Sequence, residues 1–239
     1  MKKRGFPNFT SNYGGTWLQR VFRMRNPRPK TGNRTFVDPT VQFIGADFIE
    51  IGHRSIISEG CWFNVSDRSG SEARILIEDH CIISRRVFMN SGKKISIGPH
   101  CLIGNESNFL GADHDFSDPF RPFLVAPSPS GEEITVEGNC WMGSNCIVLK
   151  GVTIGFGCVI GAGSMVTKSI PPLSVAIGSP CRVVKRYRIA EKKWIPVSEW
   201  TQEDEHAIPT LPQYLKILRE KYEWISMPYI IGGVWFGNV

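Results

Sequence analysis

Asp113-His114-Asp115, with Asp118, Pro119 and Arg121 close behind, is the densest group of side chains able to do acid–base chemistry. A neutral imidazole takes up a proton near pH 7, and an acidic neighbour or a backbone carbonyl decides which ring nitrogen is free to do so. Asp113, Asp115 and Asp118 are the candidates for that part, and His114 is the only histidine between Leu110 and Glu133. Taken alone, the same residue reads equally as a solvated loop histidine. A second group, Arg182, Lys185 and Arg186, suits a phosphorylated ligand or simply makes a solubilising edge. The choice between these readings depends on the scaffold that carries the residues.

That scaffold is written in Val136–Val166. Aliphatic residues fall at Val136, Met142, Val148, Ile154, Ile160 and Val166, six apart without a slip. Four positions after the first five stand Cys140, Cys146, Val152, Cys158 and Ser164. A period of six fits neither an amphipathic helix nor an alternating strand. It marks a parallel β-helix, in which three hexads close one triangular coil and each coil is stable only against its neighbours. The aliphatic side chain and the small residue four later point into a narrow bore. Gly143, Gly155 and Gly161 suit tight corners where a Cβ would clash or φ is positive.

The same register extends backwards. Ile51, Ile77, Ile97, Val136 and Ile154 are equivalent coil starts, with gaps of 26, 20, 39 and 18 residues. Three hexads make 18, so the long gap holds an excursion from about Leu110 to Glu133, where function tends to sit. The repeat starts near Val37, Ser66–Arg74 is a loop, and Pro171-Pro172 is expected to end the pairing. Three regions follow: a basic arm over 1–35, with a short helix around Thr16–Met24; the prism over 36–186, with its loop at 110–133; and a tail over 187–239. In the tail, Thr210 reads as an N-cap with Pro212 in the first turn of a helix reaching about Trp224. Leu211, Leu215, Leu218 and Tyr222 are its expected apolar face, and the apolar end from Met227 is expected to pack on the prism or on a second subunit.

Composition narrows the classes. The net charge of +6 among 239 residues invites an anionic partner, but is too dispersed to favour nucleic acid. No apolar run is long enough to span a bilayer, and the basic start lacks the apolar core of a signal peptide, so a cytoplasmic protein is expected. The seven cysteines each lie four residues after an aliphatic, include no CxxC and are odd in number. They read as small buried apolar groups, not as disulfides, ligands or nucleophiles.

From about Ile44 to Arg186 the chain resembles the hexapeptide-repeat acyltransferases, most sharply in IGAGSMVTK and GSPCRVVK. The stretch from Trp141 to Lys185 looks like their galactoside and maltose acetyltransferase branch, and the loop DHDFSDP resembles that of sugar and capsule O-acetyltransferases. The resemblance implies an all-β fold, a left-handed parallel β-helix with an excursion loop and a helical or irregular C-terminal tail, assembled as a homotrimer. It implies acetyl-CoA as co-substrate, with Ser144, Ala162, Thr167, Lys168, Arg182 and Lys185 at the cofactor positions. It makes His114 the general base, with Asp113 or Asp115 orienting it, and backbone amides near Trp141 and Ser144 the donors to the oxyanion. Lys185 stands where a relative carries Arg, a point charge in place of a fork. The implied activity is direct O-acetylation of a sugar or glycan precursor. The near alternative is N-acetylation of an amino-sugar nucleotide. Two other classes share the prism: a zinc enzyme drawing on His80, His100 and His114, which lacks a matching register for its third ligand, and a scaffold without activity. His80 and His100 themselves read as structural, and no metal is expected.

Overall fold

The structure is a computed structural model that describes residues 28–127 and 131–222, with the backbone of two further strands, Tyr229–Ile231 and Val234–Phe236. The helix expected over Thr16–Met24 and the packing expected for Met227–Val239 lie outside the described residues and side chains.

Six coils stack in chain order. The first holds β1 (Lys30–Thr31), β2 (Phe36–Val37) and β3 (Gln42–Ile44), and the second β4 (Ile49–Ile51), β5 (Ile56–Ile57) and β6 (Trp62–Val65). The third holds β7 (Ile75–Ile77), β8 (Ile82–Ile83) and β9 (Phe88–Ser91), and the fourth β10 (Ile95–Ile97), β11 (Leu102–Ile103) and β12 (Asn108–Leu110). The fifth holds β13 (Ile134–Val136), β14 (Trp141–Met142) and β15 (Ile147–Leu149), and the sixth β16 (Thr153–Ile154), β17 (Val159–Ile160) and β18 (Met165–Val166). The first, second and third strands of every coil form three parallel sheets, called here faces 1, 2 and 3. Register confirms the coil starts residue by residue: Ile51 pairs with Ile77, Ile77 with Ile97, Ile97 with Val136 and Val136 with Ile154.

The bore is filled as the hexad demands. Ile51, Ile77, Ile97, Val136 and Ile154 are buried, as are Cys140, Cys146, Val152, Cys158 and Ser164 four positions after their aliphatics. Gly143 and Gly155 have no room for a side chain, because a Cβ would stand 2.5 Å from the Ala162 nitrogen and 2.4 Å from that of Pro172. Their φ is not positive; the left-handed residues lie two positions further on, at Asn145 (φ 60°) and Gly157 (φ 65°). His80 and His100 occupy the same left-handed corner position, at φ 60° and 63°, and their rings stack at 4.9 Å. All seven cysteines are free and buried. Burial pushes the thiols of Cys61 and Cys158 up, to about 11 and about 12, which keeps both as unreactive thiols.

Three expectations need correction. The prism begins at Lys30, not near Val37, because Lys30–Thr31 already pairs with Glu50–Ile51; two polar residues carry no hexad signal. Pro171-Pro172 does not end the pairing. The prolines sit at a corner that needs no ladder N–H, and β19 (Ser174–Ile177) still pairs with β17. Face 2 then continues into an antiparallel ribbon, β20 (Arg182–Arg188) and β21 (Lys193–Pro196), which runs across residue 186. Because β19 turns back there, Ile177 is 49% exposed and Ala176 points inward instead, while Cys181 is still buried.

The tail helix spans Leu211–Tyr222, opened by the Gln213 side chain accepting the Thr210 N–H. Its docking face is Leu211, Tyr214, Leu215 and Leu218, with Tyr222 left 46% exposed. Tyr214 replaces Tyr222 because its ring stacks on Phe156 at 4.5 Å and its hydroxyl accepts from Asn139 at 2.5 Å.

Two measurements test this account. Ile154→Ala should cost roughly 2–5 kcal/mol in a urea melt, as a cavity in a bore that cannot collapse. Burial and neighbouring charges, Arg54 for His80 and His80 and Arg219 for His100, hold both imidazoles below their ordinary pKa. The unfolded chain therefore takes up these protons first, so their contribution is complete above about pH 6.5 and falls as pH drops below it. The thermal midpoint should decline from about pH 7.5 to 5.5, and His80→Asn/His100→Asn should flatten that decline. Asn suits the left-handed corner, as Asn139 already shows there.

Candidate functional site

The excursion leaves face 3 after β12 and returns to face 1 at β13, so it springs from the corner between those faces, the 3/1 corner. Its first residues are pinned: the N–H groups of Gly111 and Ala112 both donate to the Asn90 carbonyl, at 2.8 and 3.2 Å. One oxygen of Asp113 accepts the backbone N–H of His114 at 2.9 Å, and the other pairs with the Lys150 ammonium at 3.1 Å. Beyond His114, the Asp115 N–H donates to the Pro127 carbonyl at 2.9 Å, and its carboxylate pairs with Arg121 at 2.6 Å. Asp118 accepts from the Phe120 N–H. All three carboxylates are engaged, and among the described residues none bonds the His114 ring, which is exposed to solvent. The Lys150 contact holds the Asp113 carboxyl below its ordinary range, and the Ser117 amide, then Arg121, bring Asp115 down to about 2. Lys150 was not legible as part of this site, since it lies 37 residues from Asp113.

The remaining candidates divide between two places. Thr167 and Lys168 follow β18 at the 3/1 corner, where the pairing of Val148 with Val166 puts Lys168 one coil above Lys150. Trp141 is 55% exposed on the outside of face 2, in line with Val159, Val175 and Lys185. Ser144 and Ala162 lie one coil apart at the 2/3 corner, where the Gly163 N–H donates to the Ser144 carbonyl. Arg182 pairs with Ile177 beyond the same corner and is exposed. Ser144, Ala162 and Arg182 thus form a column along the prism axis, small residues ending in a cation. That suits an extended chain with phosphates at one end.

Two sequence assignments change. The Trp141 N–H is occupied by the Cys158 carbonyl at 2.9 Å, so of the two amides expected to serve an oxyanion only that of Ser144 has no backbone acceptor among the described residues. Arg186 does not reach a ligand: it is buried, pairs with Glu205 at 3.0 Å and stacks on Trp200 at 4.1 Å. It ties the ribbon to the short helix Gln202–His206. The histidines weighed for zinc are also apart, with His80 and His100 at the 1/2 corner and His114 on the excursion from the 3/1 corner. Among the described residues, no group of three or more His, Cys, Asp or Glu is arranged to hold a metal ion. None of the described helices is long and apolar enough to cross a membrane.

Residues 133–168 match the family model described as the hexapeptide repeat of succinyl-transferase. That stretch of the chain therefore carries the hexapeptide repeat. Its fold is shared with a mutant of AntD, an N-acyltransferase from Bacillus cereus, in complex with dTDP-4-amino-4,6-dideoxyglucose and coenzyme A: TM-score 0.58 at 20% identity, over 74% of this chain and 93% of that one. A hexapeptide-repeat-containing acetyltransferase from Vibrio cholerae aligns with TM-score 0.50 and 26% identity, over 73% and 83%. The architecture is therefore the left-handed parallel β-helix of these acyltransferases. A probable acetyltransferase of Mycobacterium tuberculosis is 27% identical over 180 residues, 73% of this chain and 57% of its own length. A putative acetyltransferase of Staphylococcus aureus is 58% identical over 53 residues, 22% of this chain and 27% of its own. The chain thus spans little more than half of the first of these relatives and about a quarter of the second.

Arg186→Met should lower stability by about 2 kcal/mol, by stranding Glu205 and uncovering Trp200. Urea melts check the loss.

Proposed function

We propose that this protein is an acetyl-CoA-dependent acetyltransferase acting on a sugar or glycan hydroxyl, with its sites formed between the prisms of a homotrimer. One observation carries the reading: the candidate residues are divided between two corners of a single prism. His114, Thr167 and Lys168 belong to the 3/1 corner, and Ser144, Ala162 and Arg182 to the 2/3 corner. All of face 3 lies between them, on the order of 15 Å at about 3.3 Å per extended residue. Neither corner is a site alone, and a three-fold arrangement sets one corner of each prism against the other corner of the next.

The outer surfaces support such an assembly. Face 2 presents an apolar column of Ile56, Ile82, Leu102 and Trp141, whereas face 1 presents Glu50, Leu76, Ser96, Thr135 and Thr153, and face 3 mixes Trp62, Phe88 and Ile147 with Gln42 and Asn108. On the excursion, Phe120 and Leu124 are 96% and 91% exposed in one chain, apolar surface that a neighbour would cover.

In the proposed reaction, His114 takes the proton of the acceptor hydroxyl as its oxygen attacks the thioester carbonyl. The C–O bond forms, the Ser144 N–H donates to the oxyanion, and the C–S bond breaks. The proton passes from the imidazole to the departing thiolate. Lys168, Arg182 and Lys185 supply cations for the cofactor phosphates, with pantetheine along the Ser144–Ala162 column. A hydroxyl needs the base more than a neutral amine does, which favours O-acetylation over the amino-sugar alternative.

Calorimetric titration of acetyl-CoA, followed by thiol release with a panel of methyl glycosides and amino sugars, tests the activity. Wild type and His114→Ala should both bind, and only wild type should release thiol; absence of binding by either protein sinks the reading. Subunit complementation tests the shared site. His114→Ala and Ala162→Trp should each be inactive, and trimers co-assembled from equal amounts should regain about a quarter of wild-type activity by random pairing of intact corners. Mixed assemblies that stay inactive would place the whole site within one chain.

A further inference from the structure

We propose that Lys150 is a positioning residue for His114, acting through the carboxylate of Asp113. The inference rests on the reading of His114 as the base. Lys150 directly follows β15, whose Leu149 pairs with Leu110, the last residue before the excursion. The Asp113 carboxylate spans the gap between strand and loop, with the Lys150 ammonium at 3.1 Å on one oxygen and the His114 backbone N–H at 2.9 Å on the other. A group fixed to the rigid prism thereby holds the backbone of the residue that carries the imidazole. The flanking residues are held separately, Gly111 and Ala112 by the Asn90 carbonyl, and Asp115 by the Pro127 carbonyl and Arg121. Among the described residues, position 114 is the one whose amide is held by the carboxylate that Lys150 pairs with.

The arrangement assigns Asp113 a part different from orienting the ring. Both of its oxygens serve the anchor, and the ring stays free for an acceptor. The pair holds the Asp113 carboxyl below its ordinary range, so it remains ionised at neutral pH. Half-exposed ion pairs contribute little to global stability. Displacing a base by about 1 Å can cost as much as 10²-fold in rate. A positioning role therefore predicts a loss of rate without a loss of fold, the reverse of what a merely structural lysine would show.

The test compares Lys150→Met, Lys150→Arg, Asp113→Asn and the double variant Lys150→Met/Asp113→Asn, with His114→Ala as reference. Each full-length protein is assayed with acetyl-CoA and the glycoside that wild type turns over. Amide hydrogen exchange over residues 111–116 is read on the same proteins, with no acceptor needed. Lys150→Met should lower kcat by about tenfold or more while KM for acetyl-CoA and the thermal midpoint hardly move. The double variant should be no slower than Asp113→Asn, since both remove one link. Lys150→Arg should recover to within about threefold, because a cation is kept and only its shape changes. The His114 amide should exchange faster in Lys150→Met and not in Lys93→Met, whose ammonium pairs with Glu133 at the other end of the excursion. If His114→Ala is inactive while Lys150→Met keeps its kcat and its exchange pattern, the positioning role is wrong and the base stands. If His114→Ala retains full rate, the base reading fails, and unchanged exchange in Lys150→Met would then remove the anchor as well.

Discussion

Everything in this molecule depends on stacking one hexad on the next through parallel hydrogen bonds around a bore too narrow for two large side chains at one level. The limit is steric before it is energetic. It demands an aliphatic at one position, a small residue four later and a left-handed corner between them, and the chain meets each demand with more than one residue type. The small position takes Cys, Ser or Val. The corner takes Gly157, then Asn139, Asn145, His80 and His100, which tolerate it, and also Arg54, Arg86 and Glu106, so φ near 60° is imposed even on residues that do not favour it. Many buried contacts and one neighbour above and below make that imposition affordable. The cysteines follow from the same limit, since a thiol is small, apolar enough and harmless once burial has raised its pKa.

A prism built this way has little freedom on its faces and much at its corners. Insertions enter at the 3/1 corner, between the third strand of one coil and the first strand of the next. Ser66–Arg74, Gly92–Lys94 and the long excursion all lie there, one coil after another. The corner gathers cations and carboxylates because it is where the chain leaves the ladder and backbone groups need side-chain partners. Arg74 folds onto Asp67 and the Ser69 carbonyl, Lys93 onto Glu133 and Lys150 onto Asp113. The ion pair at Asp113 has the same origin as the other two, and differs because the residue it fixes precedes the histidine.

Much of the fold was legible in the sequence because a hexad is a local signal repeated many times. The coil starts, the gap lengths and the buried cysteines at 61, 81, 101, 140, 146 and 158 all follow from counting. Lys30–Thr31 escaped the count because a polar strand on the outermost coil has no aliphatic to place. The β20–β21 ribbon escaped because its pairing is antiparallel and its side chains follow another period. Tyr214 was missed in favour of Tyr222 because helical spacing allows either, and Phe156 and Asn139, distant in the chain, decide between them. The position of His114 on an excursion was readable. The partners of its flanking residues were not, since coil stacking brings Lys150 to Asp113 and loop closure brings Pro127 to Asp115. Arg186 was read with Arg182 and Lys185 as one basic edge, yet it alone of the three is buried, against Trp200 and Glu205, while Arg182 and Lys185 are exposed.

A solenoid of this kind faces a geometric problem that a globular enzyme avoids. Chain segments on different corners never approach each other, because the filled bore lies between them and no coil can bend around it. A reaction that needs a base and a cofactor groove must therefore place both at one corner or recruit a second prism. Under the proposed reading the first option is closed, because the Ser144–Ala162 column lies a face away from the 3/1 corner that carries the excursion and its ion pairs. Under the proposed reading, assembly is then part of the active site and not an addition to it. The residues needing the tightest positioning are those of the excursion, because they must reach across an interface from an irregular segment. The excursion carries its own carboxylates and Arg121, and Lys150 reaches it from the prism; on the proposed reading, fixing the His114 backbone therefore matters more than adding contacts to the prism.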